Sequence, residues 1–217
     1  MKYRRRIFMT VTGVVVSGIG SGFIKAAMLG VDPCTGAISG ISQALGMGYG
    51  NFYIIFNFFL FLGVWFMDKH YIGAATLINM TGLGYIVQYT SEGLLRWMEE
   101  LSISGIGVQM VIFGIGILIL CAGTALYFTA DMGVSTYDAS ALILRDKTGR
   151  SLKSCRIKTD LICVTLALIF RASIGIGTVV TAFCMGPFIE FFNRKLAEPI
   201  LYGRKERRLL SNSGRIC

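Results

Sequence analysis

Charged residues are scarce in this chain, because only 15% of its 217 residues are Asp, Glu, Lys or Arg, whereas 54% are hydrophobic. A soluble domain carries about 25% charged residues. Residues 33–67, 71–91 and 101–130 contain no Asp, Glu, Lys, Arg or His at all. A soluble helix of such a length needs a charged outer face, whereas a bilayer span needs about 20 apolar residues. The lack of charge therefore excludes a large soluble domain and predicts a polytopic membrane protein.

Histidine is almost absent, and the single copy, His70, lies in a short charged turn. This excludes a histidine-based metal cluster and a Ser/His/Asp triad. The six cysteines show no CxxC spacing, and no glycine cluster forms the G-x-G-x-x-G pattern of a nucleotide-binding turn. We therefore expect no enzymatic activity, no metal site and no cofactor.

The few charges are strongly biased towards Lys and Arg, which give a net charge of +9. They are clustered beside the apolar segments: four precede residue 7, six lie between Arg145 and Lys158, and seven lie between Arg194 and Arg215. This is the placement expected for cytoplasmic loops of a membrane protein. It predicts cytoplasmic N- and C-termini and the lipid bilayer as partner, and it argues against nucleic-acid binding.

Eight apolar segments alternate with these charges. Six are long enough to span a bilayer, over residues 7–29, 51–67, 72–89, 106–128, 157–172 and 176–192. The other two each accompany a glycine-containing break: residues 34–47 are only 14 residues long, and residues 130–147 resemble them and carry Asp138, Arg145 and Asp146. We predict an all-α membrane bundle of about six transmembrane helices plus two short discontinuous or re-entrant helices. A topology with eight full spans would place the same number of basic residues in the cytoplasm as one with six, so charge alone leaves that alternative open.

The two halves of the chain resemble each other. Leu29-Gly30-Val31 matches Met132-Gly133-Val134 at a separation of 103 residues, and the Ile-Gly-x-x-Thr motif ending at Thr76 recurs, ending at Thr178, at a separation of 102. This predicts a duplication, with inverted halves because each contributes three crossings. The predicted divisions are a basic N-tail (1–6), a first membrane repeat (7–92), an interfacial segment (93–105), a second membrane repeat (106–192) and a basic C-tail (193–217).

Residues 130–138, with the sequence A-D-M-G-V-S-T-Y-D, resemble the pattern A-D-L-G-V-S-P-W-D of the YczE/YyaS/YitT group of bacterial integral membrane proteins. The later Ile176-Gly177-Thr178 and the run M-G-P-F-I-E at 185–190 resemble that group's G-T and G-P-F-I-D/E signatures. The chain departs from the pattern at Thr136 and Tyr137. The resemblance covers nearly the whole chain and implies a multi-pass protein of the bacterial plasma membrane. Members are often labelled transporters or accessory membrane components, without an established substrate.

Several polar residues lie in or beside the apolar segments. A carboxylate at membrane depth is costly and usually faces a cavity or a partner, so Asp131 and Asp138 are the strongest candidates for binding an ion or solute. A structural role is the alternative: Asp131 would order the break, and Asp138 would pair with a basic group. The further candidates, each with an alternative role in capping, snorkelling or helix packing, are Asp32, Lys25, Asn57, Thr76 and Thr178. Asp160 and Arg171 are expected to lean towards opposite membrane interfaces.

These residues predict a transporter of a small solute or ion, with a polar site near the midplane where the two discontinuous helices begin. The alternative is an accessory or scaffold membrane protein that binds a partner and moves nothing. A homo-oligomer or a partner protein is compatible with either interpretation. The sequence does not identify the substrate.

Overall fold

The computed structural model describes residues 2–102, 105–149, 152–172 and 175–201, and these residues form helices and turns without a strand. The predicted all-α class is therefore confirmed. Residues 202–217, which include Cys217 and the last basic residues of the C-tail, lie outside the described part of the chain. The helices are α1 (Lys2–Ala26), α2 (Pro33–Ala44), α3 (Tyr49–Met67), α4 (Ala74–Ile78), α5 (Gly84–Glu100), α6 (Ile106–Ala130), α7 (Thr136–Thr148), α8 (Leu152–Ile169) and α9 (Ile176–Phe192).

Three of these helices, α1, α3 and α6, are long and apolar enough to cross a membrane. A π-helical turn, Asn79–Leu83, joins α4 to α5, and a second, Asn193–Ala197, follows α9. The predicted interfacial segment begins inside α5, which continues to Glu100 as one helix. The basic residues of the predicted N-tail likewise lie within the first turns of α1.

Helices α1 and α6 pack in direct backbone contact at the centre of the bundle. A Cβ atom at Gly20 would lie 2.3 Å from the backbone nitrogen of Leu120, and one at Gly123 would lie 2.3 Å from the backbone nitrogen of Ser17. Residues of α1 thus meet residues of α6 in descending order, so the two helices run antiparallel. Small residues allow membrane helices to approach this closely, which explains Gly13 and Gly20 of α1 and Gly116 and Gly123 of α6.

The directions of the other long helices follow from similar contacts. Helix α5 runs parallel to α1, α9 runs parallel to α6, and α3 runs antiparallel to α5. The contacts that set these directions join Gly18 to Ile86, Gly22 to Thr90, Gly177 to Phe113, Cys121 to Met185, Gly50 to Gln88 and Gly84 to Tyr53. Helices α5 and α9 therefore pack along α1 and α6, and α3 packs along α5.

Both short helices follow a sharp turn of the same form. Beyond the end of α1, Met28 has a φ of 56° and Gly30 a φ of 114°; beyond the end of α6, Asp131 has a φ of 51° and Gly133 a φ of 102°. Such left-handed conformations end a helix and favour glycine. The second break therefore forms with Thr136 in the place where the YczE/YyaS/YitT pattern has proline.

Each turn docks on the start of a helix from the other half of the chain. The Leu29 carbonyl accepts a hydrogen bond from Gly177 N at 2.8 Å, and the Met132 carbonyl accepts one from Ala75 N at 3.0 Å. These N–H groups lie in the first turns of α9 and α4, where no carbonyl of the same helix is available. The two turns therefore cap helices of the opposite halves.

Candidate binding site at the first turn of helix α7

The local sequence Ser135-Thr136-Tyr137-Asp138 explains why α7 begins where it does. Ser135 is the N-cap residue, and its hydroxyl accepts a hydrogen bond from Asp138 N at 3.1 Å. The same hydroxyl lies 2.8 Å from Asp138 Oδ2, to which it donates. An N-cap serine followed by an acid three residues later satisfies free N–H groups and places a negative charge beside the positive end of the helix.

The next three residues bond to three different helices. The Thr136 hydroxyl donates to Asn57 Oδ1 of α3 at 2.5 Å, and the Tyr137 hydroxyl donates to the Asp160 carboxylate of α8. Asp138 Oδ2 accepts from the hydroxyl of Tyr127, on α6, at 2.8 Å. The first turn of α7 thus joins α3, α6 and α8 through polar groups inside the bundle.

The network continues along α3. Asn57 Nδ2 donates to the Tyr53 carbonyl at 2.8 Å, and the Tyr53 hydroxyl donates to Asn79 Oδ1 in the π-helical turn at 3.0 Å. Asn57, Asn79 and Asp138 are 3%, 4% and 8% exposed, so these polar groups are buried in the protein. Buried polar groups of this kind are costly unless they are hydrogen-bonded, and each of these three side chains has at least one hydrogen-bond partner.

Of the three residues that bond to the first turn of α7, Asn57 and Asp160 lie near the middle of their helices, whereas Tyr127 lies three residues before the end of α6. Asn57 follows the first residue of α3 by eight positions, and Asp160 follows the first residue of α8 by eight positions. At about 1.5 Å per residue, each lies roughly 12 Å from the end of its helix. The hydrocarbon core of a bilayer is about 30 Å thick, so this network lies well inside the depth that α3 can span.

Helix α2 also begins at a polar N-cap residue, but the carboxylate and the hydroxyl residue have exchanged positions. Its N-cap residue is Asp32, whose carboxylate accepts from Thr35 N at 3.0 Å, and Pro33 occupies the first helical position. The carboxylate thus lies at the N-cap of α2 but at the third helical position of α7. Cys34 of α2 and Tyr137 of α7 pack against one cluster, formed by Ala37, Cys163 and Ala167.

Two of the predicted charged residues lie far from each other, at opposite ends of α1. Lys25 Nζ lies 3.7 Å from the centre of the Tyr49 ring, a cation–π contact at the end of α1. The Asp131 side chain is 84% exposed and lies 3.8 Å from the Arg6 guanidinium, near the start of α1. Arg6 and Lys25 are separated along this helix by about 28 Å. The structure therefore does not bring Lys25 and Asp131 into one site.

Thr76 and Thr178 lie at the contacts between the two halves. Thr76 Oγ1 donates to the Val134 carbonyl at 2.7 Å and accepts from Gly73 N at 3.1 Å. Thr178 Oγ1 accepts from Gly175 N at 3.4 Å, and a Cβ atom at Gly30 would lie 2.8 Å from it. Of the predicted site residues, the structure places Asn57 and Asp138 in the network and Asp32 close to it, at the start of α2, whose Cys34 packs against the same cluster as Tyr137. Lys25, Asp131, Thr76 and Thr178 make separate contacts.

Tyr53, Tyr127, Thr136, Tyr137 and Asp160 belong to the network but are not among the predicted site residues. Asp160 is half-buried and bonded to Tyr137, whereas Arg171 lies exposed beyond the end of α8. One signal in the sequence points to Asp160. It follows Asn57 by 103 residues, the separation that relates the two glycine motifs.

The other end of α7 is charged and exposed. The Arg145 guanidinium donates to Asp146 at 2.7 Å, and the Tyr71 hydroxyl donates to the same carboxylate. These hydrogen bonds, that of Arg145 above all, lower the pKa of the Asp146 carboxyl group below its usual value. Within the described residues, no three His, Cys, Asp or Glu side chains are placed to hold a metal ion.

The sequence is similar to those of uncharacterised proteins, one of which is named a membrane protein. Residues 4–194 match a family described as a family of unknown function, DUF6198. The chain is 24% identical to the uncharacterized protein YyaS of Bacillus subtilis, over 80% of this chain and 85% of that protein. It is 21% identical to the uncharacterized membrane protein YczE of the same organism, over 82% of this chain and 81% of that protein. An uncharacterized protein of Haemophilus influenzae is 27% identical to this chain, over 82% of this chain and 78% of that protein.

These relatives confirm the resemblance to the YczE/YyaS group that the motifs indicate. No solved structure matches the chain.

Proposed function

The chain belongs to the DUF6198 family, and we propose that this membrane protein is a transporter of a small solute or ion whose binding site is the polar network at the first turn of α7. The observation that carries the proposal is that three consecutive residues of a discontinuous helix bond to polar groups of three neighbouring helices, and one of these groups, Asn57, lies near the middle of α3. Polar residues at such depth are costly, and in membrane proteins they mark solute and ion pathways. Transporters commonly form their sites where discontinuous helices begin.

An inverted duplication is the second part of the proposal. Gly13 contacts Gly123 and Gly20 contacts Gly116, and each glycine of α1 precedes its equivalent in α6 by 103 residues. Met28 and Asp131, which both have a positive φ, have the same separation. Equivalent residues thus make equivalent contacts in an antiparallel helix pair, as a two-fold axis in the membrane plane would produce. This relation supports inverted halves, the arrangement found in many secondary transporters.

The helix directions support six membrane crossings. If α2 crossed the bilayer fully, α5 would run opposite to α1, but the contacts of Gly18 with Ile86 and of Gly22 with Thr90 make them parallel. The same reasoning applies to α7, because α9 runs parallel to α6. We therefore propose α1, α3, α5, α6, α8 and α9 as the spans. With the basic residues cytoplasmic, both termini lie in the cytoplasm of a bacterial cell.

Transport is tested with protein reconstituted into liposomes. Purified protein is first screened by thermal shift against amino acids, sugars, nucleosides, alkali cations and organic cations, because a ligand of the folded state raises its stability. Uptake of each stabilising compound is then measured with wild type, Asp138→Asn and Asp131→Asn. We expect the Asp138 variant to fall to the level of empty liposomes and the Asp131 variant, altered at an exposed carboxylate, to match wild type.

Size-exclusion elution of the variants shows whether each protein is folded before its uptake is interpreted. Uptake that does not differ between folded Asp138→Asn and wild type would remove the α7 network from the mechanism. If no compound binds or moves, the accessory or scaffold function replaces transport.

A further inference from the structure

Two buried hydroxyl groups beside the start of α3 have no hydrogen-bond partner. The Ser39 and Tyr49 side chains are 7% and 5% exposed, and their hydroxyl oxygens bond to no other group in the described part of the chain. Buried polar groups in proteins are nearly always hydrogen-bonded, either to the protein or to a bound molecule. These two hydroxyl groups therefore point to a bound group that the chain itself does not supply.

Both hydroxyl groups are neighbours of Thr35 in α2. Ser39 follows Thr35 by four positions, so the two side chains lie on one face of this helix. Tyr49, the first residue of α3, packs in one cluster with Ile38 of α2, and its hydroxyl lies near Thr35. The Thr35 backbone N–H is already bonded to Asp32. The polar groups left for a bound molecule are thus side-chain hydroxyls between α2 and α3.

An ammonium group lies at the same place. Lys25 Nζ is 3.7 Å from the centre of the Tyr49 ring, so the charge over the face of the ring and the hydroxyl at its edge are within reach of one small molecule. Among the described residues, Lys25 forms no ion pair; Glu92 of α5 attracts it from an exposed position and is bonded to Gln88. Charged side chains in membrane-spanning helices usually have a partner, and Lys25 lacks an anionic one.

The chemistry of these groups selects the ligand. A lysine ammonium only donates hydrogen bonds, and the hydroxyls of Tyr49 and Ser39 each have one hydrogen to donate. Such a set is complementary to an anion with more than one acceptor oxygen. The carboxylates of Asp32 and Glu92 lie near Tyr49 and Lys25 and oppose a high negative charge. A ligand with a single carboxylate satisfies both conditions.

We propose that Lys25, Tyr49 and Ser39 form a binding site for a small monocarboxylate, separate from the polar network at the first turn of α7. The carboxylate accepts from the ammonium and from the two hydroxyl groups. Lys25 is half-buried and Glu92 is exposed, so the ammonium is reached from water at the end of α1 opposite its basic N-terminal turns. Binding at this site does not depend on the proposed transport function.

Thermal unfolding of the purified chain in detergent tests the site, with sodium acetate replacing sodium chloride at constant ionic strength and pH. We expect acetate to raise the midpoint of wild type, because a ligand of the folded state stabilises it, and sodium succinate to raise it less. Tyr49→Phe removes a hydroxyl without a partner, so its midpoint in chloride should not fall, whereas its acetate shift should be lost. Tyr53→Phe is the matched control: its hydroxyl donates to Asn79, so its midpoint should fall in chloride while its acetate shift remains.

A pair of lysine variants provides the second comparison. Lys69 Nζ also lies over an aromatic ring, 4.7 Å from the centre of Trp65. The acetate shift should disappear in Lys25→Met and remain in Lys69→Met, whereas a general effect of the salt would raise all midpoints alike. The lack of any shift in wild type, or equal shifts in wild type, Tyr49→Phe and Lys25→Met, overturns the proposal and assigns the two hydroxyls to bound water. An acetate shift that survives in Asp138→Asn while no solute is transported would contradict transport alone.

Discussion

At the scale of single residues, the aspartates of this chain differ in how deeply the fold buries them and in which groups they contact. Asp131 lies in a left-handed turn beyond the end of α6, so its side chain points away from the bundle and is 84% exposed. Asp138, seven residues later, is 8% exposed because it lies in the first turn of a helix that is packed on three others. The depth and partners of a carboxylate, rather than its presence in an apolar sequence, distinguish a candidate binding group from a solvated one.

Thr136→Val is expected to destabilise the protein. Valine keeps the shape of the side chain but removes the hydroxyl that Asn57 Oδ1 accepts from, and a buried acceptor left without its donor costs about 1–3 kcal/mol. The measurement is the midpoint of thermal unfolding in detergent. Thr165→Val is the matched control, because that exposed hydroxyl bonds only to the Leu161 carbonyl of its own helix. Equal midpoints for both variants would show that the bond to Asn57 contributes nothing.

At the scale of helices, glycine has two distinct uses in this chain. On α6, a Cβ atom at Gly123 would meet the backbone of α1, whereas one at Gly114 would have no atom within 4 Å. The first position is therefore required for helix packing, and the second tolerates a side chain. Because both lie in one apolar segment of α6, only their orientation around the helix separates the two uses.

Gly20→Ala should destabilise the α1–α6 pair, and Gly114→Ala should not. The added methyl group at Gly20 would lie 2.3 Å from Leu120 N, so the helices must move apart, and overpacking of this kind costs about 1–3 kcal/mol. At Gly114 the same change gains about 0.5–1 kcal/mol from the better helix propensity of alanine. Thermal midpoints of both variants and wild type provide the comparison, and a Gly20 variant as stable as wild type would contradict the backbone contact.

At the scale of the whole molecule, each half of the chain caps a helix of the other half, in addition to the packing of α1 against α6. The turn after α1 caps α9, and the turn after α6 caps α4, through the carbonyls of Leu29 and Met132. Both helices that are capped begin at a glycine in extended conformation, Gly175 and Gly73. Any residue can adopt that conformation, so these glycines are required by contact alone.

Gly73→Ala and Gly175→Ala are therefore expected to destabilise the protein separately and additively. Their Cβ atoms would lie 2.0 Å from Met132 O and 2.4 Å from Leu29 O, and each clash should cost about 1–3 kcal/mol. The two contacts share no residue, so the double variant should lose the sum of both effects. Gly63→Ala, at a position with no atom within 4 Å, is the control in the same unfolding measurement. A double variant no less stable than either single variant would show that the two dockings are not independent.

Most of the helices could be predicted from the sequence because their signals are local. Long uncharged runs predict α1, α3 and α6, and the Gly-Val motifs at residues 30 and 133 predict the two breaks that precede α2 and α7. The boundary of α5 is less well predicted, since charged residues on its last turns resemble a loop but continue the helix to Glu100. Hydropathy and turn residues act over a few positions, so they specify elements without specifying neighbours.

Hydropathy and turn residues in the sequence specify an all-α membrane protein and the two breaks that precede α2 and α7. Only the tertiary structure decided which polar residues meet: Asn57 and Asp138 join one network with Asp160 and three tyrosines, while Lys25 and Asp131 lie at opposite ends of α1. The physical reason is that a hydrogen bond between helices depends on how each helix is rotated and where it crosses its neighbour. The rotation and the crossing point are both set by the packing of small residues on several helices, so neither can be predicted from a single segment of the sequence.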